Sequence, residues 1–330
     1  MTQTSARVAS DLVAELSRTF PVELDGWVPT VQGAFGHVFG VRGADDGSRY
    51  VVKTYPPREA VRAATELLAL NRLAELPDVP VPAVVHCGEL TGPEPVPYLL
   101  LPRLPGLRWA DRWAVLPPAR AAALTVAVGR LLRRMHGLTG ERFGDLLPEG
   151  ASWSSPWQRV DARCDELVRH DLQRGGSPVL TGRVRDLVDS SRLALDSCRR
   201  PVLCHNDFVG SNILVATGPD PDILGVVDLE RASWDDPLCD LARTRLHVRY
   251  HDQAGADVVT RAYGVEGDAE HRRLDVHEVL HALQERTWIA SDRPAGWQGS
   301  VAALETFIRQ RTEPTGPAGD GACLLLQRET

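Results

Sequence analysis

Eight residues in the middle of the chain, "HNDFVGSN" at 205–212, set His205, Asp207 and Asn212 in one loop between apolar runs. Sixteen residues beyond Asn212, "VVDLE" carries Asp228 at the end of another apolar run. An acid five residues before an amide, followed by a second acid at a strand end, forms a set with defined chemistry. The Asp207 carboxylate can accept or orient a hydroxyl proton. The amide oxygen of Asn212 and the carboxylate of Asp228 are hard oxygen ligands suited to Mg²⁺. Phosphoryl transfer uses such a set, because it depends mainly on positioning and charge neutralisation. Asp and Asn also favour turns, but a turn requires neither the five-residue step nor the later Asp228.

A second signal is isolated. Of the 37 Lys and Arg residues only Lys53 is a lysine, and it sits inside the apolar run "SRYVVKTYPP". Lysine is a compact point charge on a thin stem, whereas arginine is a wide planar fork. A coding bias towards arginine accounts for the other cations; a site that needs a compact ammonium accounts for the survivor.

The elements that must position these groups fall into two sets. In the first hundred residues, "GWVPTVQGAFGHVFGVRG" (26–43) predicts two strands around a glycine turn, and "DDGS" (45–48) a hairpin turn. "RYVVKTY" predicts a third strand with Val51, Lys53 and Tyr55 on one face. Helical spacing covers 58–76, closed by Pro77, and two further strands are expected at 81–90 and 97–104. A short N-terminal helix is expected over 5–19. After a Pro- and Gly-containing linker at 103–111 the pattern turns helical, at 117–137, 156–173, 181–197, 271–290 and 297–311. Residues 202–230 interrupt it as strand, loop, strand, turn, strand, and the tail after Glu313 is expected to be irregular.

Composition narrows the function. The chain has 330 residues, 43% apolar and 25% charged, with a formal net charge of −7 and no basic run. That makes nucleic acid a poor partner and favours a cationic small molecule. No apolar run approaches the roughly 18–20 residues of a membrane helix. The N-terminus carries acids, unlike a signal or transit peptide, so a cytoplasmic protein is expected. Six scattered cysteines with no C-x-x-C pair read as reduced thiols, not a zinc site. His277 and His281, one helical turn apart, have no third ligand nearby and read as a surface or core pair.

H-x-D-x-x-x-x-N followed by D-x-E resembles the aminoglycoside phosphotransferase family, small-molecule kinases related to choline and homoserine kinases. The resemblance runs from about residue 27 to about residue 310. It implies an α+β, protein-kinase-like two-lobed fold. The N-terminal nucleotide-binding lobe, 1–104, would hold a five-stranded sheet and one helix; the mostly helical lobe, 105–330, would hold the catalytic loop and acceptor site. It implies ATP, with GTP the alternative, and Mg²⁺ as cofactors, and a hydroxyl of a small molecule, such as a cationic antibiotic, as acceptor. Asp207 would then be catalytic, and Asn212 and Asp228 the metal ligands. Lys53 would contact the α- and β-phosphates, held by Glu66, with Glu59 the reserve. Gly33 and Gly36 in "GAFGHV" would let the backbone approach phosphates, although Val31 stands where a first glycine is usual. The Pro102 carbonyl and the Leu104 N–H would face the base at the hinge. "DDPLCDLAR" (235–243) resembles G-D-P-x-x-D-L-A, with Asp235 in place of glycine and Asp240 a structural acid beside the loop. Asn206 replaces a usual glycine, and Phe208-Val209 a usual Leu-His. Glu230 is open between a second metal contact and a solvated acid.

Three other readings are weaker. A protein kinase needs an activation segment, and "ASWDDPLCDLA" follows Asp228 almost at once. A catalytically dead binding module predicts loss of Lys53, Asp207 or Asp228, and all three are present. An iron oxygenase using H-x-D needs a strand-rich double-stranded helix, against the helical second half.

Overall fold

The structure, a computed structural model, describes residues 13–14, 16–17, 20–29, 36–45, 47–90, 94–218 and 222–313. Most of the expected helix at 5–19, Val31, Gly33 and the tail beyond residue 313 lie outside the described residues.

Five antiparallel strands form the first sheet: β1 (Val22–Leu24), β2 (His37–Gly43), β3 (Arg49–Thr54), β4 (His86–Leu90) and β5 (Val96–Pro102). Their spatial order is β1-β2-β3-β5-β4, so the strand bearing Lys53 is central. Alternation along β3 divides its side chains between two cores. Val52 joins Phe39, Val41 and Leu100 on one face. Tyr55 joins Leu70, Leu73 and Leu99 on the other, under helix α1 (Ala60–Leu73). Gly47, at φ +68°, closes the β2–β3 hairpin where the sequence signalled it. Two expectations shift. The strand ahead of the glycine turn lies at Val22–Leu24, because Gly26 at φ +74° leaves the extended region just after it. The strand expected from 81 begins only at His86, beyond Pro80 and Pro82.

The expected linker is structured. Gly106, at φ +104°, turns the chain into β6 (Leu107–Arg108) and the short helix α2 (Trp109–Arg112). Then follow α3 (Pro118–Met135), β7 (Phe143–Asp145), β8 (Ser152–Trp153), α4 (Pro156–Gln173), α5 (Pro178–Ser190) and α6 (Arg192–Leu195). The single helix expected at 181–197 is thus two. Strands β9 (Val202–Cys204), β10 (Ile213–Val215) and β11 (Ile223–Val226) fall where the strand–loop–strand–turn–strand reading put them. Next come β12 (Ser233–Asp235), α7 (Pro237–Arg249), α8 (Gly255–Tyr263), α9 (Gly267–Asp292) and α10 (Trp297–Thr312). Two small antiparallel sheets, β11-β10-β6 and β8-β7-β12-β9, carry the central loops.

One apolar cluster runs from the first sheet into the helical part, joining Tyr55 and Leu99 to Trp109, Leu131, Phe208 and Val226. A second, among α4, α5, α9 and α10, includes Val160, Val184, Leu280 and Ile308. The described residues therefore form a curled antiparallel sheet, with α1 against it, packed on a larger helical body. No helix among the described residues is long and apolar enough to cross a membrane.

Candidate active site

Lys53 lies between Val38 and Leu99 in the register of the sheet, which aims its side chain towards α1. Its ammonium donates to Glu66 Oε2 at 2.7 Å, pairs with Glu230 Oε2 at 2.8 Å, and pairs with Asp228 Oδ1. Glu66 is 1% exposed and also accepts from the Tyr55 hydroxyl. Glu66 is therefore the partner on α1, and Glu59 bonds Arg62 at 2.7 Å instead. Burial works against the lysine's charge, but the carboxylates of Glu66 and Asp228, with Tyr55 and Glu230, outweigh it and hold the ammonium well above its ordinary value. Burial pushes the Glu230 carboxyl up, against the pull of Lys53. Glu230 is thus a buried member of the cluster and not a solvated acid.

The loop at 205–212 is held from below. Asp240 of α7 accepts the backbone N–H groups of His205 and Asn206, both at 2.6 Å. Thr244, one turn on, donates to the Phe208 carbonyl at 2.6 Å. From α2, the Ala110 N–H donates to the Gly210 carbonyl at 2.9 Å. Asn206 adopts φ +62°, which explains why asparagine substitutes for glycine there: it tolerates the left-handed region better than most residues. Its amide also donates to the Arg231 carbonyl at 2.7 Å and Ser233 Oγ at 2.8 Å. His205 is fully buried. One ring nitrogen contacts the Val227 carbonyl at 3.0 Å and the other accepts the Asp207 N–H at 3.3 Å. The ring therefore ties the loop to the strand end that carries Asp228, itself at φ +71°.

At the loop's apex, Asn212 Nδ2 donates to the Asp207 carbonyl at 2.9 Å and to Asp207 Oδ2 at 3.2 Å. This fixes the amide so that Oδ1 is left as the acceptor, the polarity a hard cation requires. The Asn212 backbone carbonyl accepts the Val227 N–H at 3.0 Å, which brings it beside Asp228. Asp207 Oδ1 accepts from Arg243 Nε at 3.2 Å. Burial would raise the Asp207 carboxyl, but Arg243, His205 and Arg231 outweigh it and hold it below the usual range. Glu66, Asp228 and Glu230 place carboxylate oxygens within 4.8 Å of one another, three carboxyl groups around one ammonium. The excess of anionic oxygen suits a divalent cation.

Lys53, Glu66, Asp207, Asn212, Asp228 and Glu230 all line one cleft of about 440 Å³. Pro102 and Leu104 line it too, with Leu104 Cδ1 packed where a Cβ on Gly225 would lie. Gly36 is not on its wall; a Cβ there would come within 2.2 Å of the Thr54 carbonyl oxygen, so its glycine serves the close packing of the loop on β3. Sequence reasoning missed Arg243, Thr244 and Trp27. Arg243 is the last residue of "DDPLCDLAR", and its reach to Asp207 is not visible in that stretch. Trp27 lines the cleft with the Arg103 guanidinium 4.1 Å over its ring. His277 and His281 are a core pair, as expected. Cys87, Cys164, Cys198, Cys204 and Cys239 are free thiols.

A sheet-plus-helix lobe on a helical body, with an ammonium–carboxylate pair above an acid–amide loop, is the architecture of protein-kinase-like phosphotransferases. The chain belongs to the phosphotransferase enzyme family, whose model matches residues 33–297. Among solved structures, its fold is similar to a thermostable mutant of aminoglycoside phosphotransferase APH(4)-Ia in complex with ADP and hygromycin B. That match has a TM-score of 0.66 and 18% identity over 92% of this chain and 98% of that one. A GDP complex of a mutant aminoglycoside 2'-phosphotransferase-IIIa matches with TM-score 0.64 and 13% identity, over 93% and 96% of the two chains. APH(2")-IIIa with GDP and kanamycin matches with TM-score 0.61 and 14% identity, over 91% and 97%.

Proposed function

We propose that this phosphotransferase moves the γ-phosphoryl group of ATP, or of GTP, to a hydroxyl of a cationic small molecule, inactivating an antibiotic in the cytoplasm. The observation that carries this reading is the meeting of Lys53, Asp207, Asn212 and Asp228, from three separated segments, in one cleft. Residues 1–104 serve as the nucleotide lobe and 105–330 as the lobe bearing the catalytic loop and acceptor site. Lys53, positioned by Glu66, grips the α- and β-phosphates. The Pro102 carbonyl and Leu104 N–H, on the cleft wall, face the base. Asn212 Oδ1 and the Asp228 carboxylate would hold Mg²⁺, which would supply charge neutralisation on the phosphates. Asp207 receives the acceptor hydroxyl and orients or takes its proton.

A cavity of about 720 Å³ shares Glu230 and Arg231 with the nucleotide cleft and has Glu59, Asp145 and Glu149 on its wall. Its size and position suit an acceptor, and its wall is charge-balanced: Arg58, Arg62 and Arg159 also line it, with Glu59 bonded to Arg62 at 2.7 Å. The structures bound to hygromycin B and kanamycin support a cationic acceptor. The test is an ATP- and GTP-consumption screen against aminoglycosides, cyclic peptide, nucleoside and macrolide antibiotics, and simple amino alcohols. Turnover with one antibiotic class, abolished by EDTA and restored by Mg²⁺, is the expected result. Turnover only with choline-like or homoserine-like amino alcohols would replace the antibiotic with a metabolite. Nucleotide binding without turnover on any of them would favour a binding module.

A further inference from the structure

We infer that Arg243, braced by Glu285, is a positioning residue that fixes the aim of the Asp207 carboxylate. The inference rests on the reading of Asp207 as the hydroxyl-receiving group.

Helix α7 presents Asp240, Arg243 and Thr244 to the loop, the i, i+3, i+4 spacing of one helical face. Together they engage four consecutive loop residues. Asp240 takes the N–H groups of His205 and Asn206, and Thr244 the carbonyl of Phe208. These three bonds shape the backbone; Arg243 alone among the three acts on a side chain, that of Asp207. Its guanidinium is held in turn, since Nη1 donates to Glu285 Oε2 of α9 at 2.7 Å, and Glu285 is 7% exposed. On the opposite side, Asn212 Nδ2 holds the second Asp207 oxygen. The carboxylate is therefore gripped at both oxygens, from α7 and from the loop's own amide. Each carboxylate oxygen has a further lone pair for a substrate hydroxyl.

The arrangement needs arginine. Nε meets Asp207 while Nη1 meets Glu285, two directions fixed by one planar fork. A lysine ammonium keeps the charge and loses that geometry. Proton acceptance requires the hydroxyl within about 2.6–3.2 Å, and a misplacement of about 1 Å costs on the order of 10²-fold. The competing role for Arg243 is a plain ion pair that staples α7 to α9.

Four variants separate the two: R243M, R243K, E285Q and the double variant R243M/E285Q. Positioning predicts that R243M lowers kcat by about 10–100-fold with the KM for ATP unchanged. R243K falls nearly as far, and E285Q less. R243M also removes the cation that Glu285 meets at 2.7 Å and lowers the melting temperature; the double variant takes away the matching negative charge and recovers the melting temperature while its kcat stays low. If kcat returns together with stability in the double variant, or R243K retains full kcat, the role is structural and the inference is overturned. Crystal structures of wild type and of R243M/E285Q give a readout independent of turnover. An Asp207 side chain that leaves its wild-type orientation in the double variant supports the inference; one that keeps it overturns it. A wild type that shows the Arg243–Asp207 contact and turns over no acceptor removes the proposed reaction and leaves the positioning geometry standing.

Discussion

Replacing Asp240 by asparagine keeps the side chain's shape and removes its charge. In the native loop, Asp240 is fully buried and accepts from His205 N and Asn206 N at 2.6 Å each, with His136 Nε2 at 3.3 Å. Asparagine offers one carbonyl oxygen and one NH₂ group. Whichever way it sits, one backbone N–H that met a carboxylate now meets a donor. That loses a charge-assisted hydrogen bond, about 1.5–3 kcal/mol, and leaves a buried N–H unsatisfied at about 1–3 kcal/mol. Partial relaxation brings the expected loss of unfolding free energy to about 3–4 kcal/mol, a large share of a typical 5–15 kcal/mol. The left-handed backbone at Asn206, less costly for asparagine than for most residues, is held by these bonds, so the loop that carries Asp207 loosens first. Urea denaturation gives the stability, and phosphotransfer to the acceptor found by screening gives kcat. We expect D240N to lower both, with kcat down by at least 10-fold. A stability change under about 1 kcal/mol with normal kcat would refute the view that α7 is the template of the loop.

Lys53 has carboxylates from Glu66, Asp228 and Glu230 around one compact ammonium, and a guanidinium fork does not fit the same point. Lys53→Arg should therefore weaken nucleotide use by about 10²-fold in kcat/KM, about 3 kcal/mol, read from the ATP dependence of turnover; normal kinetics would return the lone lysine to coding bias. His277 Nε2 lies 3.5 Å from Asp236 Oδ2. Burial opposes its charge, but Asp236 and Cys239 outweigh burial and push the imidazole up to about 9. A folded value above the unfolded 6.5 means this stabilisation is complete below pH 6.5 and is lost as pH rises through about 9. Urea midpoints should fall over that interval, and H277Q should flatten the fall; an equal slope in the variant would contradict the assignment.

The parts of the site with fixed spacing were legible in the sequence. Asp207, Asn212 and Asp228 stand at set steps in one stretch, and Lys53 with Glu66 at a strand-to-helix separation. The structure brings all five to one cleft. Arg243 was hidden because its meaning is three-dimensional: it reaches Asp207 from 36 residues away and leans on a residue of another helix. Helix α7 went unread for a related reason. Leu238, Cys239, Asp240, Leu241, Ala242 and Leu246 are all buried, so the segment lacks the one-sided apolar stripe that periodicity detects. Helix α8 begins at a glycine after a polar turn, and nothing in "HDQAGAD" announces a start. Strand positions near proline and glycine shifted because those residues remove donors or leave the extended region. Asn206 illustrates the reverse: a departure from glycine became intelligible once its backbone angle was seen.

The central claim is that Asp207 serves the acceptor while Lys53, Asn212 and Asp228 serve the nucleotide. The most direct test is Asp207→Ala, with Mg²⁺–ATP binding measured by calorimetry and turnover by product formation on the same preparation. The account predicts ATP affinity within about 3-fold of wild type and turnover reduced by at least about 10²-fold. An alanine variant that turns over at close to the wild-type rate would contradict it.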